Sequence, residues 1–335
     1  MRYCINITSG ALAGTLEDDD LRGEGRWERL VARGLISTGE QVGTPSLKWQ
    51  GDAPNWIGYI TDLSDCAYIT IYGGLETLPR SARVYLFQFF SAPNAPIEEE
   101  IRTVMRFAGR SNVFLTHSYP SDGCFDRLPE DLRDRTALLP MPVPDVIAND
   151  PTENTVLFYP SRSLPPDSEA LLRFIRQAMD RDSRLTFESI TSTYYSEACE
   201  LSWKHPLFCE IFDSVRARVT LHPSISHAEV QKIYARTRLV VCPCGYGGPP
   251  LESARCGLPV IALERDCSLY SAPYTAGFPE LPRLGVGKSL IEMLERLLYD
   301  IHYARAVGNA CRRYVAEHFS HAAFGRALDS IMART

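Results

Sequence analysis

The stretch VVCPCGYGGPPLESARCGLPVIA, Val240–Ala262, decides the reading of this chain. It begins as an apolar strand, Val240–Pro243, and passes into a turn that holds Gly245, Gly247 and Gly248. Glycine lets a backbone bend sharply and come close to a ligand. Pro249 and Pro250 follow. Proline presets the dihedral of a first helical turn and lacks only an N–H that would stay unbonded there. The segment LESARC reads as a helix stopped by Gly257, with Pro259 and a second strand beyond it. Strand, glycine turn, helix and strand make one repeat of a parallel α/β sheet. The free N–H groups and dipole at the start of such a helix favour an anion, most simply a phosphate. Glu252 stands one turn in. A carboxylate there can accept two hydrogen bonds from a ribose diol, or it can merely cap the helix start. Phosphate and ribose together spell nucleotide.

The same alternation extends outward in both directions. Upstream, RVTLHPSIS reads as a strand and HAEVQKIYART as a helix with Val230, Ile233 and Tyr234 inward. Before them, TVLFYPSRS is a strand running into a polar turn. DSEALLRFIRQAMDR is a helix capped by Asp167 or Ser168, with Leu171, Phe174, Ile175 and Ala178 on one face, and RLTFESI is a strand. Downstream, SLIEMLERLLYD and the segment from His302 to Ala333 read as helical. In the first half, RYCINIT, CAYITIYGG, RVYLFQFF and NVFLTHS have the short apolar, β-branched and aromatic character of buried strands. RWERLVARGLIS is an amphipathic helix closed by Gly39, and EEEIRTVMRFAGR would put Arg102, Arg106 and Arg110 on one solvated helix face. LLPMPVPDVIANDPTEN is dense in Pro, Asn and Asp and reads as a linker. Two runs of alternation predict two doubly wound domains, residues 1–147 and 148–318, with a C-terminal helix at 319–335 returning to the first. Ligands of such sheets bind at the carboxyl ends of strands, here across a cleft between two such edges.

Composition supports this reading and removes others. A chain of 335 residues, 45% hydrophobic, can build two cores. No apolar run approaches the roughly 20 residues needed to span a bilayer, and the N-terminus lacks the pattern of a signal peptide. Ten cysteines without a paired CxxC framework point to reduced thiols and a cytoplasmic protein. CPC at 242–244 lacks a second pair at metal spacing, and no metal is expected. GVGKS at 285–289 resembles a phosphate loop, but the glycine that pattern requires is Pro282, so Lys288 and Ser289 are expected to begin a helix. Residues 1–145 hold 14 Lys+Arg against 20 Asp+Glu, a net of −6, and the remaining 21 against 21 sum to zero, giving the total of −6. An acidic first half makes nucleic acid an unfavoured partner and leaves peripheral contact with a membrane open.

The residues 244–261, CGYGGPPLESARCGLPVI, resemble the signature of the retaining GT-B glycosyltransferases of the "group 1" type. In that signature two acids eight residues apart flank a Gly/Pro turn, followed by a small-residue helix and a CG.PV ending. The resemblance runs upstream through RVTLHPSISHAEVQKIYARTRLVV and downstream to RRYVAEHFSHAAFGRAL, covering 155–335. Before that it rests on LLPMPVPD and on GEGRWERLVARGLISTGEQV. It implies a metal-independent transfer of a sugar from a nucleoside diphosphate sugar, UDP-linked by preference, to an unidentified acceptor held by the first domain, with no other cofactor.

The resemblance also assigns roles. Glu252 would bind the ribose, and the amides of Gly247 and Gly248 the sugar and diphosphate, so that Cys244, Tyr246, Pro249 and Leu251 complete the donor site. Arg162 matches the arginine that holds the diphosphate; Asp167 stands where a lysine is usual. Cys244 stands where the first acid is usual, and the double glycine after the next strand is missing from ERDCSLYSAP. Gln88 occupies the place of the usual first-domain histidine, which leaves His117 as a substitute candidate beside Arg162 for a catalytic role, or as a structural histidine. A thiol is a weak hydrogen bonder and mostly neutral at pH 7, so Cys244 reads as an altered grip on the donor sugar or as a small filler. These departures admit an alternative, a catalytically degenerate GT-B subunit acting as a binding partner. An epimerase acting on the nucleotide sugar ranks last, because too few acids or histidines stand near the motif.

Overall fold

The computed structural model describes residues 2–6, 14–15, 24–45, 49–71, 82–89, 105, 110–117, 129–143, 154–159, 168–190, 203–222, 225–242, 248–262 and 288–334. The chain forms two compact units, Met1–Pro144 with Glu317–Thr335, and Asp145–Ala316.

In the first unit the strands are β1 (Arg2–Asn6), β2 (Gly14–Thr15), β3 (Gln41–Thr44), β4 (Trp49–Gln50), β5 (Trp56–Tyr59), β6 (Cys66–Ile71), β7 (Val84–Phe89), β8 (Val113–His117) and β9 (Thr136–Leu138). The helices before β9 are α1 (Glu24–Ser37) and the single turn α2 (Glu130–Arg133). Seven strands join in the order β5-β3-β1-β6-β7-β8-β9, every pair parallel, while β2 and β4 form a separate short parallel pair. Cys4, Ile5, Ala67 and Ile69 are fully buried, the pattern of strands covered on both faces. Leu30, Val31 and Leu35 bury one side of α1, and Gly39, at φ +88°, supplies the left-handed residue that ends it. Arg110 corrects one expectation. It is not helical but precedes the turn into β8, its guanidinium 4.7 Å from the centre of the Tyr85 ring. Arg102 and Arg106 lie outside the described residues.

In the second unit the order along the chain is β10 (Thr155–Phe158), α3 (Ser168–Arg181), β11 (Thr186–Ile190), α4 (Pro206–Phe212) with a 3-10 turn (Asp213–Arg218), and β12 (Val219–His222). There follow α5 (His227–Arg236), β13 (Thr237–Cys242), α6 (Gly248–Arg255), β14 (Val260–Ala262), α7 (Lys288–Tyr299) and α8 (Ile301–His318). The sheet order is β12-β11-β10-β13-β14, again all parallel. Leu171, Phe174, Ile175 and Ala178 of α3 are buried as their spacing requires, while on α5 Ile233 and Tyr234 are buried and Val230 only partly. Phe187 stacks on Phe212 at 5.0 Å, and Phe208 tilts against Phe212 at 4.9 Å, which fastens α4 to β11. Lys288 and Ser289 open α7.

The helical tail breaks in two. Ser320 caps α9 (His321–Met332), its side chain accepting from the Ala323 N–H at 3.2 Å. This last helix packs on the first unit. Phe324 lies against Gly34 of α1, Thr38 against Gly325, and the Val143 N–H donates to the Phe319 carbonyl at 2.7 Å.

Candidate active site

In the second unit β10 and β13 are neighbours whose successors leave in opposite directions, β11 and β12 one way and β14 the other. A doubly wound sheet binds its ligand at this switch point, beyond the carboxyl ends of the two strands. β10 ends at Phe158 and β13 at Cys242. The residues that continue from those ends are Tyr159 on one strand and the glycine turn with α6 on the other.

All six residues of β13 are buried, held by β10 on one side and β14 on the other. α6 begins at Gly248. Because Pro249 and Pro250 have no N–H, Gly248 and Leu251 carry the amide donors of its first turn. At its far end the N–H groups of Cys256, Gly257 and Leu258 donate to the carbonyls of Glu252, Ala254 and Ser253 at 3.0, 2.9 and 3.1 Å. Gly257 turns at φ +88°. Gly308 of α8 rests on the Gly257 carbonyl so closely that a Cβ there would stand 2.0 Å from the oxygen.

Glu252 is the fifth residue of α6 and 1% exposed. Its Oε2 lies 3.8 Å from Nδ1 of His227, the first residue of α5. Burial pushes the Cys256 thiol up to about 12, with the Glu252 charge adding to the effect. Burial also pushes the Tyr234 hydroxyl well above its usual value, with Tyr159 and Glu252 contributing. The Tyr234 hydroxyl is 2.8 Å from that of Tyr159 and donates to the Pro249 carbonyl at 3.3 Å. Ser253 Oγ is 2.7 Å from the same carbonyl oxygen and 3.0 Å from that of Pro250. The Tyr159 N–H donates to the Val241 carbonyl at 2.8 Å. These partners were not legible in the sequence. Periodicity assigns Tyr234 to the core and is silent about where its oxygen goes.

Of the residues singled out from the sequence, the structure places Glu252, Pro249, Leu251 and the backbone of Gly248 together on α6. Cys244, Tyr246, Gly247, Arg162 and Asp167 lie outside the described residues. His117 is the last residue of β8, in register with Phe89 of β7 and Leu138 of β9, and its side chain is outside the description. Gln88 is one step back on β7, opposite Thr116. The first unit has its own switch point between β1 and β6, and β7 separates β8 from it.

A second polar cluster lies deeper in the same unit. Glu188 of β11 accepts two hydrogen bonds from Arg236, at 2.7 and 2.8 Å, and stands 2.8 Å from Nε2 of His222. Burial works to raise the Glu188 carboxyl, and the hydrogen bonds from Arg236 and His222 outweigh it and hold the group below its ordinary value.

No protein-family model and no curated protein sequence matches the chain. Solved structures do. Sucrose-phosphate synthase from Thermosynechococcus elongatus superposes with a TM-score of 0.63 at 16% identity, covering 100% of both chains. AviGT4, a glycosyltransferase involved in avilamycin A biosynthesis, gives 0.56 at 13%, covering 99% of this chain and 97% of its own. TarM gives 0.58 at 16%, covering 81% of this chain and 55% of its own, so the chain spans about half the length of TarM. At such identities the likeness is one of fold. It defines the class: an α/β chain of two parallel-sheet, Rossmann-like units in the GT-B arrangement of elements.

Proposed function

We propose that this protein is a metal-independent glycosyltransferase that takes a sugar from a nucleoside diphosphate sugar, with retention, and passes it to an acceptor bound by the first unit. The observation that carries this reading is the placement of the β13–α6 connection. A helix start with Gly248 and Leu251 amides and the buried carboxylate of Glu252 stand together beyond a switch-point strand end. The likeness in fold to AviGT4 and TarM supports transfer of a glycosyl group, and TarM has been solved with UDP, which favours a uridine donor.

Breaking the anomeric bond builds negative charge on the diphosphate. In this reading the amides of Gly247, Gly248 and Leu251, the positive end of α6 and the Arg162 guanidinium stabilise that charge as it develops, and Glu252 clasps the ribose diol. Cys244, Tyr246 and Pro249 line the sugar side, where a thiol in place of a carboxylate weakens the hold on hydroxyls. His117 is the first-unit candidate for contact with the reacting sugar.

The test is to offer UDP-, GDP- and ADP-sugars and follow nucleotide release and calorimetric binding. Binding of one nucleoside diphosphate, with release of it from the sugar nucleotide, is expected. Failure to bind any of them would remove the reading and leave a GT-B subunit that acts by binding a partner.

A further inference from the structure

Three residues before Arg162, the chain leaves β10 through Tyr159. This residue is tied to the other switch-point strand twice. Its N–H donates to Val241 of β13, and its hydroxyl meets that of Tyr234 at 2.8 Å. Tyr234 in turn reaches the Pro249 carbonyl in the first turn of α6 at 3.3 Å. A phenol has one proton to give. Tyr234 spends its proton on Pro249, so Tyr159 must donate to Tyr234, and the direction is fixed: Tyr159 to Tyr234 to Pro249. Burial keeps the Tyr234 hydroxyl protonated across the physiological range, which holds that direction steady.

This chain of hydroxyls is unusual in its position. Pro249 and Pro250 deprive the start of α6 of two backbone donors, so the helix start has less of its own hydrogen bonding to hold it in place. The Pro249 carbonyl instead receives Tyr234 from α5 and Ser253 from within α6. A strand end that leads to Arg162 and a helix start that carries Gly248 and Leu251 are therefore joined by two O–H groups.

On the reading of the site given above, we infer that Tyr159 and Tyr234 are positioning residues for the diphosphate: their paired hydroxyls hold the start of α6 and the Arg162-bearing turn at one fixed separation. They touch neither ribose nor base in this scheme. Their effect falls on the phosphates and leaves the nucleoside part of the affinity alone.

The experiment compares Tyr159→Phe, Tyr234→Phe and the double variant, each of which keeps the ring and removes only oxygen. Wild-type protein is first titrated with UDP, GDP and ADP, and the matching nucleoside is measured by competition. Absence of any diphosphate binding by the wild type defeats the site itself, separately from this inference. Where it binds, Tyr234→Phe is expected to weaken the diphosphate about 3- to 10-fold, the usual effect of one lost hydrogen bond, with nucleoside affinity unchanged. Tyr159→Phe is expected to lose the same or less. The double variant should be no weaker than Tyr234→Phe, because both changes break one shared chain. Additive losses, equal losses for diphosphate and nucleoside, or no loss would each overturn the inference. If Tyr234→Phe does not fold, Tyr159→Phe at the partly exposed strand end carries the test alone by the same diphosphate-to-nucleoside contrast.

Discussion

Glu252 is surrounded by side chains that answer its charge. His227 stands 3.8 Å away, and Tyr234 and Cys256 both have their protons held more firmly because the carboxylate is near. A group in that setting, clasping a diol, accounts for a large part of a nucleotide's grip. Glu252→Ala is expected to weaken nucleoside diphosphate binding by about 1–3 kcal/mol, read by calorimetry. Unchanged affinity would detach the acid from the ribose. Glu188 belongs to stability. Its folded pKa is depressed, so its contribution is complete above the unfolded carboxylate pKa of about 4.3 and is lost as pH falls through the lower folded value. Urea midpoints of the wild type should therefore decline below about pH 4.3, and Glu188→Gln should flatten that decline while lowering stability at neutral pH by about 1.5–3 kcal/mol, the loss of a charged hydrogen bond. The sequence made Glu252 visible through its eight-residue spacing from Cys244. Glu188, His222 and Arg236 come from three separated elements, and only the β11–β12 pairing brings the first two together.

At the level of elements, the alternation of strand and helix was readable wherever a strand is buried on both faces and so forms an unbroken apolar run. β1, β6, β7, β8, β10, β11 and β13 are of that kind. β3, β5 and β9 escaped. β5 leaves Ile57 and Tyr59 exposed and bends at Gly58, with φ +75°, and β9 is three residues long; both are edge strands. Their pairing is dictated by their neighbours, not by their own pattern. The end of α6, by contrast, was written plainly in Gly257, although nothing in the sequence announced that Gly308 would meet it. Gly308→Ala would press a methyl carbon against the Gly257 carbonyl, and backbone must yield. We expect a loss of about 1–3 kcal/mol, with Tm falling by about 2–4 °C for each kcal/mol. Scanning calorimetry reads it directly.

Across the whole molecule, cysteine placement gives a solution signature of the two cores. Cys4 and Cys66 lie in the first unit and Cys242, Cys256 and Cys311 in the second, all buried, and burial pushes Cys4 and Cys311 as well as Cys256 up to about 12. A thiol that cannot ionise does not react. Brief alkylation of the native protein at pH 8, followed by peptide mapping, should spare these five and label them all after unfolding in guanidinium. Labelling of Cys4 and Cys66 alone would show that the first unit opens on its own.

The first unit takes its last helix from the far end of the chain, since Phe319, Phe324 and Gly325 pack on residues between 34 and 143. On the ribosome, then, synthesis order and folding order part company. Residues 145–316 can all emerge and close their own core while the earlier-made sheet still waits for α9, so the unit that is translated first is completed last.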